Sequence, residues 1–377
     1  MLKLLVAKET APGETRVSGT PDTCKRLIKD GFSVQIESGA GEAAGFTDAA
    51  YTDAGASVVS EADSKSAWST ADVVTKVAAP STDEAARLKS GALLVGFASA
   101  HSHAESIKVL RDRSVTFAAM ELIPRISRAQ GMDALSSQAS IGGYKAALLA
   151  ASTLDKYFPL MMTAAGTIQP ARVVILGAGV AGLQAIATCK RLGAVVEVSD
   201  VRPQVKEQVA SLGGRFIDVP IEGAGEGGYA KELTAEQLEK QKSIVRSRIV
   251  AADAVITTAL VPGRPAPKLV TDDMVIDMRP GSVIIDMAVE QGGNCTLSEA
   301  GKTVVKHGVK IVGPLNLPAS LPADASLLYA RNVHNLLTHL CPKAVLVLDL
   351  EDEITNGALL THAAEIRHAP TKAAIEG

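Results

Sequence analysis

Residues 125–138, RISRAQGMDALSSQ, concentrate hydrogen-bonding side chains between apolar neighbours. They include two arginines, two glutamines, one aspartate and three serines. Side chains of these types can bind the amide, hydroxyl and phosphate groups of a polar ligand. A helix start with Ser136 or Asp133 as its N-cap is a simpler interpretation, but it accounts for one polar residue and not for five. If Arg125 paired with Asp133, ligand binding would weaken as the carboxylate is protonated at low pH.

A glycine turn, GAGVAG at 177–182, is a second feature with a defined chemistry. It follows the strand-like RVVIL and precedes the helical pattern LQAIATCKRLG, which is the setting of a dinucleotide-binding turn. In that setting Gly177 makes the tight turn, Gly179 lets the backbone approach a pyrophosphate, and Gly182 lets the helix pack on the strand. The helix N-terminus attracts the negative charge of the pyrophosphate. A glycine turn without a ligand is the alternative, and the strand–turn–helix setting disfavours it.

The strand VVEVSD ends in Asp200, eighteen residues beyond Gly182, where an acidic residue completes the dinucleotide fingerprint. A carboxylate there accepts hydrogen bonds from the adenosine ribose hydroxyls and repels a 2′-phosphate, so it favours NAD over NADP. Arg202 leaves NADP open as an alternative, because an arginine just after this strand can hold a 2′-phosphate.

General acid–base chemistry has three candidate residues. His101 and His103 lie in the loop ASAHSH after the strand ALLVGF, and a solvated position is the alternative to catalysis. Lys76 ends the strand ADVVTKV at the sheet edge where α/β proteins bind ligands, and a solvent-exposed strand end is the alternative. A dehydrogenase for an alcohol, hydroxy acid or amine moves a proton as well as a hydride, so it needs such a group.

Hydride exchange between two nicotinamide rings needs no acid or base, because no substrate oxygen or nitrogen changes its protonation. The protein then has to bind, orient and dehydrate the two rings. The polar stretch suits that reaction, since it has hydrogen-bonding groups and no obligatory base: Arg125, Gln130, Asp133, Ser136 and Ser137.

The composition argues against several functional classes. The chain has 377 residues, 47% of them hydrophobic, which is enough for two cores. A net charge of −3 without a basic block argues against nucleic acid as a partner. No apolar run reaches the ~18–20 residues of a membrane helix, so direct membrane insertion is not expected. The first ten residues lack the apolar core of a signal peptide and the four cysteines are scattered, so we expect a reduced, cytosolic protein without a metal site.

Short β-branched runs alternate with helical patterns along the chain, which predicts βαβ units and parallel sheets. We expect two doubly wound, Rossmann-like α/β domains with a cleft between them. Residues 1–136 and 318–377 are predicted to form the first domain. Residues 137–317 are predicted to form the second domain, which binds the nucleotide.

Three local features refine this organisation. The tail is expected to return to the first domain, because one helix near 324–340 and one strand at 344–350 cannot form a domain alone. The pair Gly142-Gly143 lowers helix propensity but permits close backbone packing. The glycine-rich loop 222–234 is predicted to be a flexible surface flap, with a plain disordered insertion as the alternative.

With these residues the chain resembles the soluble NAD(H)-binding alpha subunit, domain I, of proton-translocating NAD(P) transhydrogenase. The matching segments run in order through nearly the whole chain: MELIPRISRAQGMDALSSQ, MMTAAGTIQPARVVILGAGVAGLQAIATCKRLGA, SDVR, GGYAKE, ITTALVPGRPAP and GSVIIDMAVEQGGNC. The resemblance implies direct hydride transfer between NADH and NADP⁺, coupled to proton translocation by membrane subunits.

The resemblance also implies roles for the polar stretch. Arg125, Asp133 and Ser136 would contact NAD at its nicotinamide end and would act in catalysis together with Gln130. Gln130 would reach towards NADP(H) on the partner subunit. Further residues expected in the same NAD site are Ile126, Ser127 and Ser137.

In the nucleotide-binding domain the resemblance implies contacts along the rest of the dinucleotide. Those expected at the pyrophosphate are Gly177, Ala178, Gly179, Val180 and Gly182. Those expected at the adenosine are Asp200, Val201 and Arg202. A mobile flap would include Gly228 and Tyr229, and further positions lining the nucleotide would be Gln241 and Leu260.

Alanine dehydrogenase shares this fold and is the alternative function. That family uses a lysine matching Lys76 and a histidine at the end of the next strand. Phe97 stands at the histidine position here, and His101 and His103 follow several residues later. These differences and the residues of the polar stretch favour the transhydrogenase.

The resemblance implies partners for the chain. An NADP(H)-binding beta subunit and a membrane-spanning subunit would complete the enzyme, and the soluble component would be a homodimer. We therefore expect a cytoplasmic or matrix-side location, peripheral to the inner membrane through the partner subunits.

Overall fold

The computed structural model describes residues 1–218, 235–260 and 265–377, with the backbone alone at 235–241. The predicted flap at 222–234, with Gly228 and Tyr229, lies outside the described residues. Contacts divide the chain into two units, Met1–Gln138 with Pro318–Gly377, and Ala139–Leu317. Among the described residues, no helix is both long and apolar enough to cross a membrane.

Strands and helices alternate through most of both units. In chain order the strands are β1 (Lys3–Val6), β2 (Ser33–Glu37), β3 (Ser57–Val59), β4 (Val73–Thr75), β5 (Leu93–Gly96), β6 (Thr116–Ala119), β7 (Met161–Thr163), β8 (Gly166–Ile168), β9 (Arg172–Leu176), β10 (Val195–Ser199), β11 (Arg215–Phe216), β12 (Ala254–Thr257), β13 (Val283–Asp286), β14 (Thr303–Lys306), β15 (Val309–Val312), β16 (Leu359–His362) and β17 (Glu365–Ile366). The α-helices are α1 (Pro21–Lys29), α2 (Asp48–Asp53), α3 (Ser64–Thr70), α4 (Thr82–Arg87), α5 (Ala104–Asp112), α6 (Ala134–Thr153), α7 (Val180–Arg191), α8 (Lys206–Ser211), α9 (Ala235–Val250), α10 (Asp272–Asp277), α11 (Pro322–Leu340), α12 (Glu353–Ala358) and α13 (Ala369–Glu376).

The first unit is built on a sheet with the strand order β17-β16-β6-β5-β4-β1-β2-β3. Its strands from β6 to β3 are parallel, and β16 pairs antiparallel with β6. Successive residues of β1 point to opposite faces, so Leu4 and Val6 enter one core and Leu5 enters the other. Helices cover both faces, because the first core includes residues of α1 and α11 and the second includes residues of α3, α4 and α5.

The second unit is built on a sheet with the strand order β11-β10-β9-β12-β13-β15-β14. All its pairs are parallel except β14 with β15. The central strand β9 again supplies two cores, with Val173 and Ile175 on one face and Val174 and Leu176 on the other. The predicted class, α/β with two doubly wound parallel sheets, is therefore confirmed.

Both sheets reverse their strand order beside a first strand. β1 lies between β4 and β2, and β9 lies between β12 and β10. Crossovers on the two sides of such a strand lead away from each other, which opens a crevice at its carboxyl end. The residues that follow β1 and β9 are therefore the first places to examine for a site.

The strand predicted at residues 344–350 is wrong. These residues are extended, but no strand among the described residues pairs with them. Leu346, Leu348 and Leu350 pack against the core, whereas Val345 and Val347 are exposed. The alternating pattern reported which face of the segment is buried, and it could not report that a partner strand is missing. The tail instead joins the sheet through β16, which the sequence analysis missed.

The glycine pair of α6 differs in what surrounds each residue. A Cβ on Gly143 would overlap the backbone carbonyl oxygen of Ala181 in α7. A Cβ on Gly142 would meet the terminal methyl of Met287 at 3.1 Å, and that methyl is the end of a flexible side chain. The predicted close backbone packing is confirmed at Gly143, so α6 approaches α7 as closely as it does because position 143 has no side chain.

Replacement of Gly143 by alanine is expected to lower the free energy of unfolding by ~1–3 kcal/mol, because two backbones would have to move apart. Gly142→Ala is the matched control, since it brings the same gain in helix propensity, ~1 kcal/mol, against a side chain that can move. Urea denaturation of the two variants measures the difference. Equal stabilities would show that the Ala181 contact does not limit the packing.

Candidate functional site

The glycine turn of the second unit has the geometry that the fingerprint predicts. Gly177 ends β9 with φ +106°, a backbone conformation that favours glycine, and its N–H donates to the Ser199 carbonyl at 2.8 Å. A Cβ on Gly182 would overlap the carbonyl oxygen of Gly177, so helix α7 can pack on the turn only with glycine at that position. Both residues hold the start of α7 against the end of β9.

Gly179 leaves the start of α7 open. It is the N-cap residue of this twelve-residue helix, and no side chain caps the helix N-terminus. A Cβ at Gly179 would have no heavy atom within 4 Å, so the backbone there borders open space. The first N–H groups of a helix have no partner within the helix and carry its positive end. The turn therefore fits a pyrophosphate, and Val180 beside it is 42% exposed.

Asp200 links the glycine turn to the loop after β10. Its carboxylate accepts the Ala178 N–H at 2.7 Å, the Arg202 backbone N–H at 2.8 Å and two bonds from the Arg202 guanidinium, each at 3.0 Å. Burial by itself would raise the pKa of Asp200, but the hydrogen bonds from Arg202 and Ala178 outweigh it and hold that pKa below 3.8. The carboxylate is thus charged and fixed, while Val201 between the two residues is 91% exposed.

The polar loop of the first unit is a 3₁₀ helix at Ser127–Met132 with two anchors in the core. Ala129 and Met132 are buried, whereas Arg125, Ser127 and Gln130 are exposed. Ile126 is half-buried against the core. The loop therefore shows its polar groups to the outside from a backbone that apolar contacts hold in place.

Asp133 caps helix α6 through Ser136. One carboxylate oxygen accepts the Ser136 N–H at 2.8 Å and the other accepts its hydroxyl at 2.6 Å. The predicted capping role is confirmed. The conditional pairing with Arg125 is not found, because no ion pair joins these two residues in the described structure. Asp133 is committed to the helix start, so the low-pH effect on ligand binding that followed from the pairing loses its basis.

The remaining predicted positions follow from the described ranges. Gly228 and Tyr229 lie outside them. Gln241 belongs to helix α9, of which only the backbone is described at that position. Leu260 follows β12 and is 47% exposed. The residues from Arg125 to Ser137 belong to the first unit, and those of the glycine turn and Asp200 belong to the second.

Lys76 is not a solvent-exposed strand end, because its side chain is 2% exposed. Its ammonium lies 3.0 Å from Glu84 and 3.4 Å from Glu9, two carboxylates that are themselves buried. Burial by itself would lower the pKa of Lys76, but Glu9 and Glu84 more than offset it and raise that pKa. The lysine is thus held charged between two protein carboxylates and has a structural role in this unit.

The other acid–base candidates are also placed by the structure. Phe97, at the position where alanine dehydrogenase has a histidine, packs against Tyr329 with ring centroids 5.4 Å apart. His101 is exposed, and His103 precedes α5 with its Nδ1 3.3 Å from the Ser99 carbonyl oxygen. Neither histidine forms an ion pair within the described residues. Both therefore match the solvated alternative.

Sequence reasoning missed the carboxylates that organise these strand ends. Glu121 accepts the N–H groups of Ala98 and Ser99 at 2.9 and 2.8 Å, and burial raises the pKa of Glu121. Glu9 and Glu84 hold Lys76 as described above. The available signal was an acidic residue soon after a buried strand, as in AKET and MELIP.

Two doubly wound sheets and a glycine turn with an open helix N-terminus define the class: an α/β protein with a dinucleotide-binding turn. Residues 5–142 match the description "Alanine dehydrogenase/PNT, N-terminal domain", and residues 146–369 match "Alanine dehydrogenase/PNT, C-terminal domain". The chain belongs to the alanine dehydrogenase/PNT family.

Relatives on both branches of the family are similar to the chain. NAD(P) transhydrogenase subunit alpha of Rhodospirillum rubrum, in the first of its sections, is 52% identical over 378 residues, which cover 97% of this chain and 98% of that protein. Alanine dehydrogenase of Bacillus subtilis is 30% identical over 330 residues, 85% of this chain and 81% of that protein. The crystal structure of transhydrogenase from Sinorhizobium meliloti has a TM-score of 0.88 at 46% identity and covers 97% of this chain and 99% of that one. An L-alanine dehydrogenase structure has a TM-score of 0.82 at 27% identity and covers 100% and 99%. The resemblance to the transhydrogenase alpha subunit is confirmed.

Lys76→Met is expected to lower the free energy of unfolding by ~3–5 kcal/mol, because it leaves two buried carboxylates without their cation. Lys89→Met is the matched control, since the Lys89–Asp72 pair is partly exposed and such pairs contribute ~0–1 kcal/mol. Urea denaturation at neutral pH measures both changes. A Lys76→Met protein as stable as the control would contradict the structural role.

Asp200→Asn should show the pH dependence of a carboxylate whose pKa is lowered by folding. The stability that Asp200 contributes is complete above its unfolded value near 3.8 and is lost as the pH falls through the lower folded value. The wild type should therefore exceed the variant in stability at pH 7, and the difference should shrink below about pH 4. Urea midpoints of the two proteins from about pH 7 to about pH 3.5 test this, and a constant difference would count against it.

Proposed function

We propose that the chain is the NAD(H)-binding subunit of an NAD(P) transhydrogenase. It exchanges hydride directly between NADH in its own site and NADP⁺ on an NADP(H)-binding partner subunit. Membrane-spanning subunits couple this exchange to proton translocation. The observation that carries the proposal is Gln130, exposed on a rigid polar loop in a chain that is similar over nearly its whole length to transhydrogenase alpha subunits.

The dinucleotide is held by groups that this chain supplies. The open N-terminus of α7 at Gly179 binds the pyrophosphate, and Asp200 accepts hydrogen bonds from the adenosine ribose. In the unliganded chain Arg202 donates to both Asp200 oxygens, so the ribose hydroxyls share these acceptors with the guanidinium or replace it. Val201, Leu260, Gln241, Gly228 and Tyr229 are proposed as further contacts.

The polar loop orients the nicotinamide. Bound NADH supplies the hydride, and the protein supplies position and exclusion of water. Arg125, Ser136 and Ser137 offer donors for the carboxamide and ribose, while Asp133 holds Ser136 in place. Gln130 extends to the NADP(H) side. No proton is transferred, so the reaction does not require an acid or base in the loop.

The subunit is proposed to be a homodimer that attaches to the inner membrane through its partners. The antiparallel hairpin β7–β8 supports a subunit interface, because Met162 and Ile168 on it are 77% and 40% exposed. Nearby in the chain, Tyr157 and Leu160 are 56% and 51% exposed. Apolar surface of this kind is characteristic of surface that a partner covers.

Alanine oxidation is the competing function, and the test separates the two. We expect NADH to reduce a thionicotinamide analogue of NADP⁺ when the NADP(H)-binding subunit is present. We expect no NADH from NAD⁺ and L-alanine with the chain alone, because Lys76 is occupied by Glu9 and Glu84. Alanine-dependent NADH formation without a partner would refute the proposed function.

Gln130→Ala should lower the rate of hydride transfer by ~10²-fold or more, since a displacement of about 1 Å between reacting rings has that cost. The Kd for NADH should change little, because Gln130 is assigned to the partner's side. Gln208→Ala, an exposed glutamine of α8, is the control and should change neither quantity. Stopped-flow transfer and equilibrium NADH titration give the two values; unchanged transfer would remove Gln130 from the site.

A further inference from the structure

We propose that Asn332, assisted by Asn335, is a positioning residue for hydride transfer. Both lie on α11, a helix of the chain's tail that follows the polar loop by about two hundred residues in sequence. They hold the peptide group next to Gln130 and thereby set where the Gln130 side chain begins. The inference rests on the proposed function and deepens it.

The two asparagines converge on one carbonyl oxygen. Gly131 O accepts the Asn332 Nδ2 at 2.9 Å and the Asn335 Nδ2 at 2.8 Å. A carbonyl with two amide donors has both lone pairs used and cannot rotate without breaking a bond. Gly131 directly follows Gln130, so this fixes the peptide group adjoining the proposed transfer residue.

Asn332 also connects the loop to a second site residue. Its Oδ1 accepts the hydroxyl of Ser137 at 2.7 Å, while its Nδ2 donates to Gly131. The residue is 8% exposed, and both of its polar atoms are satisfied. A buried amide left without one of these partners would incur a desolvation penalty, so the arrangement is strongly preferred over alternatives. Asn332 thus ties Gln130 and Ser137 to one rigid group.

The helix that carries the asparagines is itself well anchored. Val333, Leu336 and Leu337 of α11 are buried in the core of the first unit. Ala129 and Met132 of the loop are in the same core cluster. Apolar contacts therefore set the distance between loop and helix, and the asparagines set the orientation of the loop backbone.

Glycine at position 131 is part of the device. A Cβ there would lie 2.8 Å from Asn335 Nδ2, which is closer than a real Cβ contact. Gly131→Ala would displace the Asn335 amide while leaving the Asn332 bond possible. A second tie, the Arg128–Asp352 ion pair at 2.8 Å, joins the loop to the N-cap residue of α12. Arg128 is exposed, so this pair contributes little by itself.

Asn332→Asp is the sharpest variant. The carboxylate can still accept the Ser137 hydroxyl, but it replaces the donor to Gly131 O by an oxygen. Asn335→Asp makes the same change at an exposed position and cannot unfold the core. Thr338→Ala is the matched control, because Thr338 lies on the same helix and its exposed hydroxyl bonds only the His334 carbonyl.

The experiment uses the complete transhydrogenase, with NADH and a thionicotinamide analogue of NADP⁺ at saturation. We expect Asn332→Asp to slow hydride transfer by ~10-fold or more, since reacting atoms must stay within about 3–3.5 Å. Asn335→Asp and Gly131→Ala should slow it less, and Thr338→Ala should not slow it. The Kd for NADH should stay within about twofold of the wild type in every variant, because no assigned NADH contact is removed.

The outcomes separate the two levels of the proposal. Wild-type enzyme without transfer would refute the proposed function itself. Transfer in Asn332→Asp and Asn335→Asp at the wild-type rate would refute the positioning role alone. Loss of NADH affinity in proportion to the loss of rate would also overturn it, because a merely structural residue would affect both. If Asn332→Asp failed to fold, Asn335→Asp and Gly131→Ala would decide the question by the same split.

Discussion

Carboxylates that accept backbone N–H groups hold the carboxyl-end edges of both sheets. Where a parallel strand stops, the N–H groups of the following loop point inwards without a ladder partner, and leaving one unpaired costs about 1–3 kcal/mol. An ionised oxygen is a stronger acceptor than a carbonyl, so it can offset its own burial. The residues that do this here are Glu9, Glu37, Glu121, Asp200 and Asp286.

This constraint determines what chemistry the same edges can perform. Ligands of doubly wound proteins bind at the carboxyl ends of the strands, so structural and functional groups compete for one place. At β4 the structural use prevails, because Glu9 bonds the backbone beyond β4 and also faces Lys76. At β10 both uses coincide, because Asp200 orders the glycine turn and also stands where a ribose is recognised. A family with one fold can therefore differ in reaction through the carboxylates beside a few strand ends.

Local features of the site were predictable because neighbouring residues create them. The glycine turn needs only a strand, a helix and glycines at the right spacing, and its geometry follows from backbone overlap at Gly182. Asp133 as the cap of α6 is equally local. The partners of Lys76 were not predictable, because Glu9 lies far from it in sequence. The same holds for Asn332, since nothing in the sequence YARNVHNLL shows that it faces Gly131.

By itself, the sequence determined the fold class, the two parallel sheets, the dinucleotide turn and the family to which the chain belongs. These depend on periodicity, on glycine spacing and on motif order, all of which are properties of adjacent residues. The tertiary structure decided that Lys76 is a buried structural cation, that Arg125 and Asp133 do not pair, and that residues 344–350 are extended without a partner strand. Each of these depends on which distant group arrives beside a residue, and the free energy of a buried charge or an unpaired N–H is set by that neighbour and not by the local chain.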